Sequence, residues 1–352
     1  MQVVVYYTLD TKRKNFTQSV IVMIKTILKF IFAAGIIYWL TSSGKLDFSL
    51  ITKSLTSGYG WLFCILCIIL QDIFSAFRWR LILRPGVKSK LPALEMIKLT
   101  WIGLFFNSVL PGAVTGDLIK LVYAKDLDKD VSKTFLVTTV FMDRILGLMG
   151  LLTIMGFFSM IFYSEVINLS PQMKPLIHIN FLLFIGAIFF MTLLFLPKKF
   201  QESILKITDM VPLLGKYISK TLSQGWLIGS DRKVILYSYL ISICLQLMNI
   251  FSFWIVTSPF YGKELSFQHL VTLVPLGYIA VAVPISPSGL GVGHFAFDEL
   301  FSFVGISGGA GLFNLYFLCL IFVNLLGFFP YIFSGKRHSL KETEQFEHQT
   351  ES

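Results

Sequence analysis

The sequence predicts an all-α integral membrane protein, a polytopic helical bundle with two Pro/Gly-interrupted, re-entrant segments related as an inverted repeat. Three observations predict it. Of the 352 residues 55% are hydrophobic and only 14% are charged, against ~25% charged in soluble domains, and the mean hydropathy is +0.73. The apolar residues gather into runs that meet the ~20 helical residues a bilayer crossing needs. Two of those runs are broken by Pro and Gly, with polar residues attached to the break.

The charge pattern supports the same class. The net charge is +10, but the basic residues lie between apolar runs, as expected of cytoplasmic loops beside anionic lipid. No basic soluble domain is present to carry nucleic acid, so no nucleic-acid partner is expected. Cys64, Cys67, Cys244 and Cys319 all fall inside apolar runs. Cys64 and Cys67 form a C-x-x-C without the second pair or the His residues of a zinc site. They read as small apolar residues on buried helix faces, and neither metal nor cofactor is expected.

In chain order, residues 1–20 form a cytoplasmic N-terminal segment, 21–335 the transmembrane domain and 336–352 a cytoplasmic tail. The first span covers about 21–40, too long for a signal-peptide apolar region and with no A-x-A site behind it. A second covers about 59–83, with Asp72 inside it and Arg78, Arg80 and Arg84 at its far end. The following loop carries Lys88 and Lys90, so both flanks of this hairpin are positive and face the cytoplasm. The run Leu94–Leu110 is short for a crossing and meets the first break, after which a mixed-charge patch extends over Lys120–Lys133.

Further spans follow at about 131–162, carrying Asp143 and Arg144, and at about 178–196. Segment 197–233 is basic, with Ile204, Ile207, Val211, Leu214, Ile218 and Leu222 at helical spacing and Lys206, Lys216 and Lys220 between them. It reads as amphipathic helix on the inner leaflet, broken near Pro212. A span at about 234–259, a second broken region at 268–304 and a last span at about 311–334 complete the chain. The total is about six crossings with two re-entrant pairs, or about eight if each half-helix crosses.

The organising stretch is Asn107–Lys120, NSVLPGAVTGDLIK. Pro111 lacks an N–H, and Gly112 and Gly116 lack a Cβ, so a continuous helix is not expected there. At membrane depth a broken helix persists only where its freed backbone lines a cavity or packs on protein. Asp117 and Lys120 follow at helical spacing and share one face. The second break, VPISPSGLGVG at Val283–Gly293, repeats the plan with Pro284, Pro287, Gly289 and Gly291, and His294 follows it. The first enters from the cytoplasm and the second from outside, the mark of an inverted repeat with a site between its halves. Half-helices restarting near Gly116 and Gly291 would offer N-termini to an anion, phosphate included. The plainer alternative is two kinked ordinary spans.

Charges at depth mark the remaining candidates. Asp143 and Arg144 sit inside a span, where each charge costs ~2.5–3.5 kcal/mol on insertion scales. Adjacent residues project about 100° apart, so their partners lie elsewhere, on Asp117 and Lys120 or on a bound lipid phosphate. A structural ion-pair network is the competing reading. Asp298 and Glu299 are expected to face a water-filled vestibule, and His294 to titrate, to bond a ligand or to serve structure. No Ser/His/Asp arrangement, H-E-x-x-H or metal-ligand cluster is present, so enzymatic catalysis is not expected.

The runs FFNSVLPGAVTGDLIKLVYA, FMDRILGL and PISPSGLGVG resemble the lysylphosphatidylglycerol synthase transmembrane region over about residues 20–335. The resemblance implies an inner-membrane helical bundle that handles phospholipid or polyprenyl-linked substrates. Asn107, Pro111, Gly112, Gly116 and Asp117 match its first turn, Asp143 and Arg144 its Asp-Arg pair, and Pro284, Pro287, Gly289 and Gly291 its second turn. Thr115 stands where Gly is common, Lys120 where Arg is common, and Gly293-His294 where Arg-Glu is common. The aminoacyl-transferase domain of two-part members is absent from this sequence, so lysyl transfer by this chain is not expected.

Two functions are therefore expected. The first is a flippase-like lipid translocase in the bacterial inner membrane, using Arg144 and Lys120 on the lipid phosphate at a midplane cavity. The second is a non-catalytic partner that docks a lipid-modifying enzyme or glycosyltransferase. The sequence leaves the lipid and the oligomeric state open.

Overall fold

The structure, a computed structural model, describes residues 31, 35, 38, 42, 49–109, 115–209, 215–261, 266–282 and 289–334. The first expected span, and Pro111, Gly112, Pro284 and Pro287 of the two breaks, lie outside the described residues.

Among the described residues, five helices are long and apolar enough to cross a membrane. They are α2 (Gly60–Leu83), α5 (Lys133–Ile161), α7 (Met173–Leu194), α10 (Arg232–Tyr261) and α13 (Gly309–Leu325), the last continuing through a turn into α14 (Phe328–Phe333). At 1.5 Å per residue, the 24 residues of α2 extend about 36 Å, enough for the hydrocarbon core. Their outer faces are apolar: Leu62, Leu66, Leu70 and Phe74 on α2 are exposed at i, i+4 spacing, with Phe63 beside them, and Leu182, Ile185 and Phe189 on α7 are exposed at i, i+3 and i+4 spacing. Side chains of this kind, exposed in the isolated chain, are solvated by lipid in a bilayer. All the described elements are helical, and the protein is an all-α membrane protein.

Shorter helices lie between them. The short α1 (Ser49–Thr56) precedes α2. The first broken region folds as α3 (Ala93–Val109) and α4 (Thr115–Leu127), packed on each other. The second folds as α11 (Phe267–Ala282) and α12 (Val292–Ser302). Seventeen residues in α3 and thirteen in α4 extend only about 26 and 20 Å, less than a crossing. The loop after α5 is not plain coil: α6 (Tyr163–Ile167) occupies it, and α7 begins at Met173, five residues before the expected start.

The expected amphipathic segment is two helices, α8 (Lys198–Asp209) and α9 (Gly215–Ser230); Pro212 lies outside the described residues. The helix α8 has the character expected of an interfacial helix, exposing Phe200 and Ile207. In contrast, α9 docks into the bundle, burying Trp226 and Ile228, with the Trp226 indole donating to the Leu193 carbonyl at 3.1 Å. Tertiary packing thus separates two halves that share one sequence pattern.

The central packing is α2 against α10, with α5 beside both. Small residues let these backbones approach: a Cβ on Gly150 of α5 would fall 2.8 Å from the Ser242 carbonyl carbon of α10. Buried side chains form two cores. One joins the N-terminal part of α2 with α11, α12 and α13; the other joins the C-terminal part of α2 with α3, α4, the first half of α5 and α9. Each broken region therefore belongs to its own core, and Leu276 of α11 packs against both.

Candidate functional site

Five charged side chains gather where α2, α4 and α5 meet. The helix α5 is started by Ser132, whose Oγ accepts the Phe135 N–H at 3.1 Å. Asp143 and Arg144 then follow on adjacent faces and find different partners. Asp143 receives Arg78 of α2 in a fork, Nε to Oδ1 at 2.8 Å and Nη2 to Oδ2 at 3.1 Å. The third Arg78 contact is Nη1 to Ser242 Oγ of α10 at 2.9 Å. Arg144 reaches Asp117 of α4, with Nε at 2.9 Å and Nη2 at 2.5 Å from Oδ2.

Lys120 lies one helical turn beyond Asp117. It is only 5% exposed, and its ammonium sits 3.7 Å from the centre of the Trp79 ring. Its stem runs over Gly103 of α3, where a Cβ would come within 3.3 Å of Lys120 Cβ. Arg78, Asp117, Asp143 and Arg144 all bear on it electrostatically, yet among the described residues it makes no ion pair. The group holds three cations and two carboxylates, an excess of one positive charge in an apolar bundle. Such an excess suits an anion, and Arg144, with 45% of its side chain exposed, is the open member.

The restart of α4 is built by α3. Asn107 Oδ1 accepts the Gly116 N–H at 2.8 Å. A Cβ on Gly116 would lie 1.9 Å from the Gly103 carbonyl oxygen and 2.7 Å from the Asn107 nitrogen, so only glycine permits this crossing. The expectation that this N-terminus is open to an anion is therefore corrected at Gly116, whose N–H is taken by Asn107. Asn107 and Gly116 position Asp117 and Lys120.

The second turn is ordered differently. Gly289 and Gly291 take φ of +75° and +81°, the left-handed region that favours glycine. His294 is fully buried, with Nε2 3.2 Å from Asn314 Oδ1 and its ring edge-on to Phe313 and Phe317. It packs with the core of α11, α12 and α13 and not with the five charges. Asp298 does not face a vestibule: it is 5% exposed and accepts the Ala310 N–H at 3.5 Å. Asp72 is likewise buried and accepts the Trp101 indole N–H at 3.2 Å.

Arg78, Trp79 and Ser242 are the members that sequence reasoning missed. Arg78 was assigned to a basic flank, but it is 7% exposed inside α2. The available signal was the apolar continuation Trp79, Leu81, Ile82 and Leu83, which puts Arg78 within the apolar run and not at its end.

A curated Pyrococcus horikoshii protein described as a UPF0104 membrane protein is 25% identical to this chain over 269 residues, spanning 70% of this chain and 77% of the relative. The family described as lysylphosphatidylglycerol synthase TM region matches residues 26–327, a stretch that contains both broken regions and all five charges. The chain belongs to the lysylphosphatidylglycerol synthase transmembrane-region family.

Proposed function

We propose that this chain is a flippase-like lipid translocase and not an enzyme. Its substrate is a phospholipid or a polyprenyl-phosphate-linked lipid, moved by alternating access between the two broken regions in the bacterial inner membrane. Both termini face the cytoplasm. One observation carries the reading: three cations against two carboxylates, held by α2, α4 and α5 within an apolar bundle. Buried charges are costly in a membrane protein and lie along substrate paths or in paired networks. Here two cations are paired, and the third rests on an aromatic face.

In this mechanism Arg144 meets the lipid phosphate first, exchanging its contact with Asp117 for the stronger charge of the phosphate. Lys120 supplies the second positive charge from behind. Asp117 holds Arg144 between substrates, and the Arg78–Asp143 fork fixes α2 to α5 as the frame against which α4 works. Two interrupted segments of opposed entry in the sequence support alternating access.

The test is lipid scrambling in proteoliposomes, comparing wild type with Arg144→Gln at matched folded amounts. Loss of scrambling with the fold retained supports the reading. Absence of scrambling by wild type, across anionic phospholipids and polyprenyl phosphates, overturns it. The second reading, a docking partner for a lipid-modifying enzyme, is favoured by the apolar face of α8, where Phe200 and Ile207 are exposed among Lys198, Lys199 and Lys206.

A further inference from the structure

A second concentration of positive charge lies outside the buried group, on the loop that follows α2. Arg80, Arg84, Lys88 and Lys90 line one cavity of 710 Å³, within the ~300–1,000 Å³ range of ligand sites. Leu91 and Pro92 close its wall. Arg84, Lys88 and Lys90 are exposed, and among the described residues none of the four makes an ion pair.

The frame that carries these side chains is fixed at three points. Arg80 Nε donates to the Leu91 carbonyl at 2.7 Å, closing the loop on its own helix. The Asp128 carboxylate, at the end of α4, accepts the Lys88 N–H at 2.9 Å and the Ser89 N–H at 3.1 Å. Gly86 lies flat on the Phe135 ring of α5, so close that a Cβ would come within 2.4 Å of it. Four cations on a pinned loop converge on one space, and they are not a set of independent solvated arms. Among the described residues no carboxylate lines the cavity, and the Asp128 carboxylate that pins the loop is occupied by backbone N–H groups, which leaves the cavity strongly positive.

We propose that this cavity is a phosphate-binding site, distinct from the buried charged group, that takes a headgroup or ion bearing at least two phosphate charges. Basic loops concentrate on the cytoplasmic face, where anionic lipid headgroups are abundant, and basic pockets beside membrane helices hold such headgroups. Two phosphates match four cations better than one does. The site is independent of translocation and does not involve Arg144.

The experiment measures binding to the detergent-purified full chain with two probes, cardiolipin in mixed micelles and inorganic pyrophosphate in solution. Wild type is compared with an Arg84→Gln/Lys88→Gln/Lys90→Gln variant. A control variant, Lys198→Gln/Lys199→Gln/Lys206→Gln, removes the same charge from α8. Each cation near an anionic surface accounts for roughly fivefold in affinity, so the loop variant is expected to bind on the order of a hundredfold more weakly. Thermal unfolding confirms that both variants fold, since all three loop side chains are exposed. A loss confined to the loop variant supports the site; seen with cardiolipin alone it assigns a lipid headgroup, and seen with pyrophosphate it assigns a soluble ligand. Equal losses in the two variants, no loss in either, or no binding of either probe by wild type overturns the proposal.

Discussion

Arg78 and Asp143 face each other across α2 and α5, 65 residues apart in sequence, in a two-point fork of 2.8 and 3.1 Å with side chains 8% and 14% exposed. This pair joins the central helices at the level where α4 docks. Its burial makes it a frame element, whereas the Arg144–Asp117 pair, open on the arginine side, is the one a ligand can reach.

Breaking the fork on one side leaves an uncompensated buried charge. Arg78→Gln or Asp143→Asn is therefore expected to destabilise the protein by about 3–5 kcal/mol, while the double change Arg78→Met/Asp143→Leu is expected to cost far less. Thermal unfolding in detergent checks this. Equal losses for single and double variants would show that the fork is not the source of the effect.

Lys120 separates a ligand-handling role from an architectural one. It is buried, with the Trp79 ring as its described contact, so the apolar variant Lys120→Met sheds a desolvation cost while keeping the stem over Gly103. The melting temperature is expected to hold or rise while lipid scrambling falls by tenfold or so, the effect of ~1.4 kcal/mol at the site. A variant that melts early yet scrambles normally per folded molecule would refute this division.

Glycine at 116 is a packing requirement. Gly116→Ala forces α3 and α4 apart and is expected to cost about 1–3 kcal/mol, with loss of the Asn107 contact. Gly186 of α7 has open space around the same position, so Gly186→Ala is expected to be neutral or to stabilise by ~0.5–1 kcal/mol. Paired melting curves test the contrast, which fails if both substitutions act alike.

The loop after α2 is expected to loosen in acid. Backbone N–H donors from Ser89, Asp130 and Lys88 hold the Asp128 carboxyl below its ordinary value of 3.8. A depressed folded value means the carboxylate contributes stability above the unfolded value, and that contribution is lost as pH falls through the folded one. Protease cleavage within residues 87–91 is thus expected to stay slow at neutral pH and to accelerate below about pH 4. Asp128→Asn is expected to cleave faster at neutral pH, with a weaker acid response. An unchanged acid response in that variant would assign the loosening to another group.

Much of the candidate site was legible before folding. Pro111, Gly112 and Gly116 announce a break because their backbone chemistry is local. Asp117, Lys120, Asp143 and Arg144 stand out because a charge in an apolar run is conspicuous without knowledge of its neighbours. Arg78 escaped notice because three arginines within seven residues look like one basic flank, and the packing of α5 and α10 on α2 buries the first of them. The α9 half of segment 197–233 departs for a related reason: one amphipathic pattern serves equally for a helix on lipid and for a helix on protein, and α9 packs on protein.

The sequence by itself determined the class, the long membrane helices found among the described residues and the division of each interrupted region into two short helices, because these follow from composition, run length and the backbone limits of Pro and Gly. Tertiary structure alone decided the pairing. Arg78 takes Asp143, Arg144 takes Asp117, Lys120 rests on Trp79, and His294 and Asp298 are withdrawn into the other core. These are contacts between helices far apart in the chain, set by which faces pack together, and no local periodicity encodes which distant partner a charged side chain will meet.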